Sequence, residues 1–217
     1  MPLNFYTRMV SSCLFPLHEK LKHHDTVQIR EDMERTQWLS PERLQALQLE
    51  RLRKFLSSVG QHVPYYRNLF KGKAFDPANI SGLSDLAHLP FLTKEIIRAN
   101  TEQLKSELAQ DLSRFNTGGS SGEPLIFFLG NERVSHDVAA KWRATRWWDV
   151  DIGDPEIVVW GSPIELGTQD RVRQIRDGLL RTKLLPAFEM SEAKLDRFVA
   201  EIRAMRGPEP YKGKGIK

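Results

Sequence analysis

Cysteine is nearly missing from this chain of 217 residues; Cys13 is the only one. A single thiol excludes an internal disulfide and a cysteine-built zinc site, and it suits a reducing compartment, so a cytoplasmic location is expected. Long apolar runs are missing too. None approaches the ~20 residues that span a bilayer, and Met1 to Asp25 show no apolar stretch before a small-residue cleavage site. Neither a membrane span nor a signal peptide is expected. The six histidines, at 18, 23, 24, 62, 88 and 136, show no H-E-x-x-H or other ligand spacing, so no protein-built metal site is expected. A dominant charge is also lacking. Net charge is +4, from 32 Lys and Arg against 28 Asp and Glu, interleaved except at Lys212, Lys214 and Lys217. That pattern reads as a solvated mixed surface, with no nucleic acid among the expected partners. The remainder, 40% hydrophobic and 28% charged, is the composition of a soluble globular protein.

Glycine and hydroxyl side chains, by contrast, are concentrated in one place: Thr117-Gly118-Gly119-Ser120-Ser121-Gly122-Glu123-Pro124. Glycine permits positive φ and close approach of another group. Successive exposed amides in such a turn form a concave nest for anionic oxygen, and the hydroxyls of Thr117, Ser120 and Ser121 add donors. The plain alternative is a flexible connection. A P-loop is excluded, since Glu123 and Pro124 follow Gly122 where Lys and Ser or Thr are required. The dinucleotide fingerprint is excluded because a strand, not a helix, follows the glycines. Arg114-Phe115-Asn116 and Leu125 to Leu129 read as the arms of a hairpin.

Thr-Gly-Gly-Ser-Ser-Gly-x-Pro resembles the phosphate-binding signature of adenylate-forming enzymes, in particular the phenylacetate–CoA ligase-like branch that includes the capsule-biosynthesis (CapK) proteins. Leu47-Gln48-Leu49-Glu50-Arg51-Leu52, Val63-Pro64-Tyr65-Tyr66-Arg67 and Leu89-Pro90-Phe91-Leu92-Thr93-Lys94 resemble that branch in the same order. The resemblance runs from about Trp38 to Arg206, and an ordered set of motifs is far more specific than any one of them. Glu123 and Leu125 depart from it, standing where basic residues are usual. What it implies is a two-step ligase. ATP and a small carboxylate give an acyl-adenylate, and coenzyme A then takes the acyl group, with Mg2+ bridging phosphate oxygens. Thr117, Gly118, Gly119, Ser120, Ser121 and Gly122 are implied to hold the ATP phosphates. The family's acidic magnesium-side motif, its ribose-binding aspartate and its C-terminal domain with the catalytic lysine have no counterpart in Met1 to Lys217. Poor adenylation by the isolated chain is therefore expected.

The expected fold class is α/β. A helical N-terminal region leads to the glycine-rich hairpin and a partial doubly wound βαβα layer, as in an incomplete large domain of an adenylate-forming enzyme. The expected division is an N-terminal extension (1–39), a helical region (40–110), a partial AMP-binding domain (111–206) and an aberrant tail (207–217). Ser40-Pro41-Glu42 starts a helix whose apolar face carries Leu44, Leu47, Leu52, Phe55, Leu56 and Val59, with Gly60 ending it. Tyr65 and Tyr66 read as packing residues. Thr93 caps a helix with Ile96, Ile97 and Leu104. A further helix from Glu132 to about Trp148 places Val138, Trp142, Thr145 and Trp148 on one side. Glu156 to Trp160 predicts a strand buried on both faces. Thr168 caps a helix with Val172, Ile175 and Leu179 inward, Leu184 to Phe188 form a weaker edge strand, and Ser191 caps a helix with Leu195, Phe198, Val199, Ile202 and Met205 on one face. The abrupt change at Gly207, with two prolines and three glycines in the tail, predicts a truncated or frame-shifted portion of a longer enzyme.

Other constellations carry less. His136-Asp137 reads as a solvated surface pair. Ser162, after the strand ending at Trp160, is a candidate for a substrate pocket, because ligands of open α/β sheets bind at strand carboxyl ends. No G-x-S-x-G elbow accompanies Ser120 or Ser121. Two further functions remain open: a non-catalytic anion- or partner-binding module linked to polysaccharide biosynthesis, and stacking of nucleic acid on the Arg/Trp helix. Oligomeric state has no signal in the sequence.

Overall fold

The computed structural model describes residues 4–117, 124–160, 171–187 and 190–205, with side chains from residue 175 onward in the third stretch. In chain order these are α1 (Phe5–Met9), a π-helical turn (Val10–Leu14), α2 (Phe15–Leu21), α3 (Thr26–Thr36), α4 (Pro41–His62) and α5 (Pro64–Lys73). Two 3-10 turns (Pro77–Asn79 and Leu83–His88) and α6 (Lys94–Ala99) lead to an antiparallel pair, β1 (Ser113–Asn116) and β2 (Ile126–Leu129). Then come α7 (Asn131–Arg146), β3 (Glu156–Trp160), α8 (Arg171–Leu180), β4 (Thr182–Pro186) and α9 (Glu192–Met205). The chain is α/β, and it divides into two compact units. One spans Glu19–Ala144; the other joins the residues up to His18 with those from Thr145 onward.

In the Glu19–Ala144 unit, α4 begins as the sequence expects. The Ser40 side chain accepts the Arg43 amide at 3.5 Å and Pro41 takes the first helical position. The end differs. Gly60 does not stop the helix, which runs to His62. Val63 ahead of Pro64 is extended (φ −114, ψ 108), because a residue before proline is driven out of the helical region. Gly60 serves packing instead: a Cβ there would sit 2.9 Å from Phe70 Cδ2. The buried stripe is Leu49, Leu52, Leu56 and Val59, steps of three and four residues; Leu44 and Phe55 fall off that phase and are exposed. Leu56, Phe70 and Ile80 form the core, with Tyr66, Phe75, Leu86 and Leu89 around them. Tyr65 and Tyr66 meet edge to face at 5.4 Å, and Tyr66 packs on Phe70, as packing residues should. The Arg53 guanidinium closes the layer by donating to the Ile80 carbonyl at 2.9 and 2.6 Å.

The helix capped by Thr93 is shorter than expected. It ends at Ala99, because the Asn100 and Thr101 side chains donate to the Ile96 and Ile97 carbonyls and satisfy its last turn. Leu104 lies in the turns beyond. In α7 the buried stripe is Ser135, Ala139 and Trp142, not the expected set with Trp148. The helix ends at Arg146, which takes Trp148 out of helical phase and leaves it 61% exposed.

In the other unit, β3 and β4 are parallel, with Val158 opposite Leu184, and α8 connects them. This is the expected βαβα order. β4 spans Thr182–Pro186 rather than 184 to 188, because Thr182 already pairs with Glu156. The strand at Glu156–Trp160 is not buried on both faces: Val159 is 60% exposed and Trp160 is exposed too. Among the described residues the sheet has two strands, too few to cover it. In α9, with the Ser191 side chain accepting the Lys194 amide, Phe198 is buried while Leu195, Val199 and Ile202 are exposed. Ile175 and Leu179 of α8, expected inward, are exposed as well.

Residues of α1 pack within this unit. The Tyr6 hydroxyl donates to the Leu179 carbonyl at 2.8 Å, Thr7 donates to Asp154 at 2.7 Å, and the Arg181 guanidinium lies 4.1 Å over the Tyr6 ring. Gly153, at φ 99, lets the Asp151–Asp154 turn press on Val10, where a Cβ would stand 2.7 Å from that side chain.

Candidate functional site: a pinned glycine-rich hairpin

The expected hairpin is present. β1 and β2 pair with Phe115 opposite Phe127, their rings stacked at 6.0 Å. Beyond the last ladder pair, Asn116 with Ile126, two more bonds close the neck: the Thr117 amide donates to the Leu125 carbonyl at 3.0 Å, and the Leu125 amide donates to Thr117 Oγ1 at 3.0 Å. The Thr117 backbone N–H is thereby engaged, so it is not a free donor for an anion. Its hydroxyl accepts one bond and keeps its own hydrogen to donate. Sequence reasoning missed this pinning role, although a β-branched hydroxyl residue ahead of two glycines was its signal. Gly118, Gly119, Ser120, Ser121 and Gly122 lie outside the described residues, as do Glu123, Ser162, Thr168, Phe188 and the tail from Gly207.

One strand of the hairpin faces solvent and the other is half-buried. All four β1 residues are exposed, and Lys105 covers the Phe128 ring at 4.0 Å. Its position is set from the core upward. At the α4–α5 corner, the Tyr65 amide donates to the Gln103 carbonyl, and the Glu107 amide donates to His62 at 2.7 Å. The first of these satisfies an amide that the start of α5 leaves without a helical partner. The Arg67 guanidinium also holds Glu107, at 3.2 Å, keeping its carboxyl below the ordinary range. The segment that feeds β1 is thus tied to the packed half of its unit.

Elsewhere, Asp137 pairs with Arg133 one turn away rather than acting with His136. The Arg30 guanidinium sits 4.4 Å over Trp142, so the buried tryptophan of α7 already has an internal cation–π partner. Among the described residues no three His, Cys, Asp or Glu side chains come together, and no helix is long and apolar enough to cross a membrane.

The described fold is similar to part of a solved CoA ligase. It superposes on 2-hydroxyisobutyryl-CoA ligase, a structure in the postadenylation state in complex with R3-HIB-AMP, with a TM-score of 0.55 and 19% identity, over 77% of this chain and 36% of that one. In sequence, the chain is similar to phenylacetate-coenzyme A ligase of Thermus thermophilus, 33% identical over 90 residues, which is 41% of this chain and 20% of the relative. It is also similar to Protein CapK of Staphylococcus aureus, 28% identical over 98 residues, 43% of this chain and 20% of the relative. No family model matches. The likeness in sequence to these proteins thus extends over about two fifths of the chain, which spans about a fifth of the length of the curated relatives it matches.

Proposed function

We propose that this chain is the phosphate-gripping portion of an ATP-dependent carboxylate–CoA ligase, with little or no adenylation activity alone. The observation that carries the proposal is the hairpin neck. Two bonds between Thr117 and Leu125 close the neck between an exposed β1 and a half-buried β2, leaving the Thr117 hydroxyl hydrogen to donate. Donors fixed in place before charge arrives need little reorganisation, which is how oriented donors stabilise phosphoryl chemistry, and the neck fixes the Thr117 end of the proposed set.

In this reading a carboxylate oxygen attacks the α-phosphorus of ATP, the bond to the β-phosphate oxygen breaks, and pyrophosphate leaves. The thiolate of coenzyme A then attacks the acyl carbonyl and AMP departs. Thr117 to Gly122 hold the β- and γ-phosphates so the carboxylate approaches in line, and Ser162 borders the carboxylate pocket. Mg2+, which the family resemblance implies, would supply neutralisation of charge on the nucleotide phosphates. A cytoplasmic site of action belongs to the same reading.

Titration of the purified chain with ATP, beside pyrophosphate exchange over a panel of carboxylates, tests it. ATP binding that weakens about tenfold or more in Ser120→Ala and Gly119→Val is expected, with exchange near background. Robust exchange by the 217-residue chain overturns the inactivity. Absence of any nucleotide binding overturns the ligase reading and favours a non-catalytic anion- or partner-binding module, linked to polysaccharide assembly.

A further inference from the structure

A groove of about 500 Å³ runs along α4 in the Glu19–Ala144 unit and shares no residue with the hairpin. Two parallel rows on α4 line it, each stepping by four residues: Arg53, Ser57 and Gln61 in one, Lys54, Ser58 and His62 in the other. Residues four apart on a helix stand one above the next, so each row spans about 12 Å. Ala78, from the turn Pro77–Asn79, lines it from the other side. The rows share an order: a cation, then a hydroxyl, then a group that both donates and accepts.

The cations are positioned and still have hydrogens to donate. The Arg53 guanidinium gives Nε and Nη2 to the Ile80 carbonyl, at 2.9 and 2.6 Å, which fixes its plane and leaves Nη1. Lys54 Nζ meets Glu50 at 2.6 Å, an exposed pair of the weak i,i+4 kind that an arriving phosphate displaces. Acids beside the groove already have partners. Arg67 holds Glu107, and Asp76 accepts from the Ala78 amide and the Asn79 side chain. The hydroxyls differ from others in the chain. Thr36 and Ser135 donate to carbonyls four residues back along their helices. Among the described residues Ser57 and Ser58 have no such bond, so both hydroxyls remain for a ligand.

We propose that this groove binds a small phosphate monoester with a hydroxyl-bearing body, such as a hexose phosphate. The phosphate sits between Arg53 and Lys54, where a guanidinium held in plane and a mobile ammonium supply charge-assisted bonds. The body lies along the rows. Serine, glutamine and histidine side chains donate and accept, which matches sugar hydroxyls, whereas an acyl chain would leave them unpaired. A row of about 12 Å takes one phosphate and one sugar ring. The inference does not rest on the ligase reading, because the groove is built from different residues.

Titration of the full chain with glucose 6-phosphate, followed by amide chemical shifts, tests it. Shifts gathered at residues 53–62 and at Ala78 are expected. Ser57→Ala combined with Lys54→Gln should weaken binding by about tenfold or more. Lys54 is exposed and Ser57 makes no internal bond, so the double variant should melt with the parent. Should it melt early, Lys54→Gln alone carries the comparison. Inorganic phosphate, the second probe, should perturb the same amides and bind about fivefold or more weakly; equal affinity overturns the sugar assignment. No shift at residues 53–62 with about 10 mM ligand overturns the site. Binding lost in Ser120→Ala and kept in the groove variant places the phosphate on the glycine-rich loop, and overturns it as well.

Discussion

The helices α4 and α5 of the Glu19–Ala144 unit and the β3–β4 layer of the other unit treat their apolar side chains differently. In the first, apolar side chains close over one another: Leu56, Phe70 and Ile80 are nearly inaccessible, and a glycine is spent so that Phe70 can touch the α4 backbone. In the second, Val159, Ile175, Val199 and Ile202 remain in contact with water, and one strand edge has no partner among the described residues. Helices joined by short corners bury their stripes with local partners. A parallel strand depends on neighbours distant in sequence, and a short βαβα series supplies too few of them.

The contrast is broken or sharpened most strongly by truncation of the core. Phe70→Ala should cost the Glu19–Ala144 unit about 3–5 kcal/mol by the loss of buried surface and the cavity left behind. Ile202→Ala in α9 should change stability by less than about 0.5 kcal/mol, as an exposed site does. Urea denaturation of both variants reads the difference, and comparable losses would erase the distinction between the units.

Glycine substitutions come next. Gly60→Ala forces a Cβ within 2.9 Å of Phe70 and should destabilise by about 1–3 kcal/mol. Gly178→Ala in α8 meets nothing within 4 Å and should stabilise by about 0.5–1 kcal/mol through helix propensity. Thermal melts of the pair check opposite signs. Thr117→Val removes the acceptor of the Leu125 amide, and about 1 kcal/mol of local hairpin stability should go with it, read as faster exchange of the β2 amides. Thr117→Ser should retain most of it.

The smallest effect is acidic. The Arg67 guanidinium holds the Glu107 carboxyl below its ordinary range, and the Ser81 amide and hydroxyl with the Gly82 amide do the same for Asp85. A carboxyl depressed in the folded state contributes stability above its unfolded pKa and loses it as pH falls through the folded one. The Glu19–Ala144 unit should therefore weaken as pH drops below the usual carboxylate range. Both groups are at the surface, so the loss is slight and shrinks with salt. An unchanged acid limb in Glu107→Gln would remove Glu107 from the account.

Much of the fold was legible because its causes are local. Ser40 with Pro41, Thr93 and Ser191 announce helix starts through hydroxyls that meet amides three residues on. The hairpin was legible from two short arms around Gly and Ser, and the ligase likeness from motifs in order. What went astray went astray for a shared reason. Gly60 was read as a stop, yet the proline four residues later carried the break; Trp148 was read on a helical face that had already ended; and β3 was read as doubly covered without its neighbours in view.

By itself, then, the amino-acid order determined where helices start, where the chain turns back at Thr117 and Leu125, and which enzymes it resembles, since each depends on residues within a turn or two of one another. Only the tertiary structure decided that Phe5–Met9 packs beside the βα layer through Tyr6 and Thr7, that Gly60 exists for Phe70, and that β3 runs parallel to β4 with Val159 left exposed. Those outcomes depend on contacts between residues far apart in the chain, whose pairing no local pattern encodes.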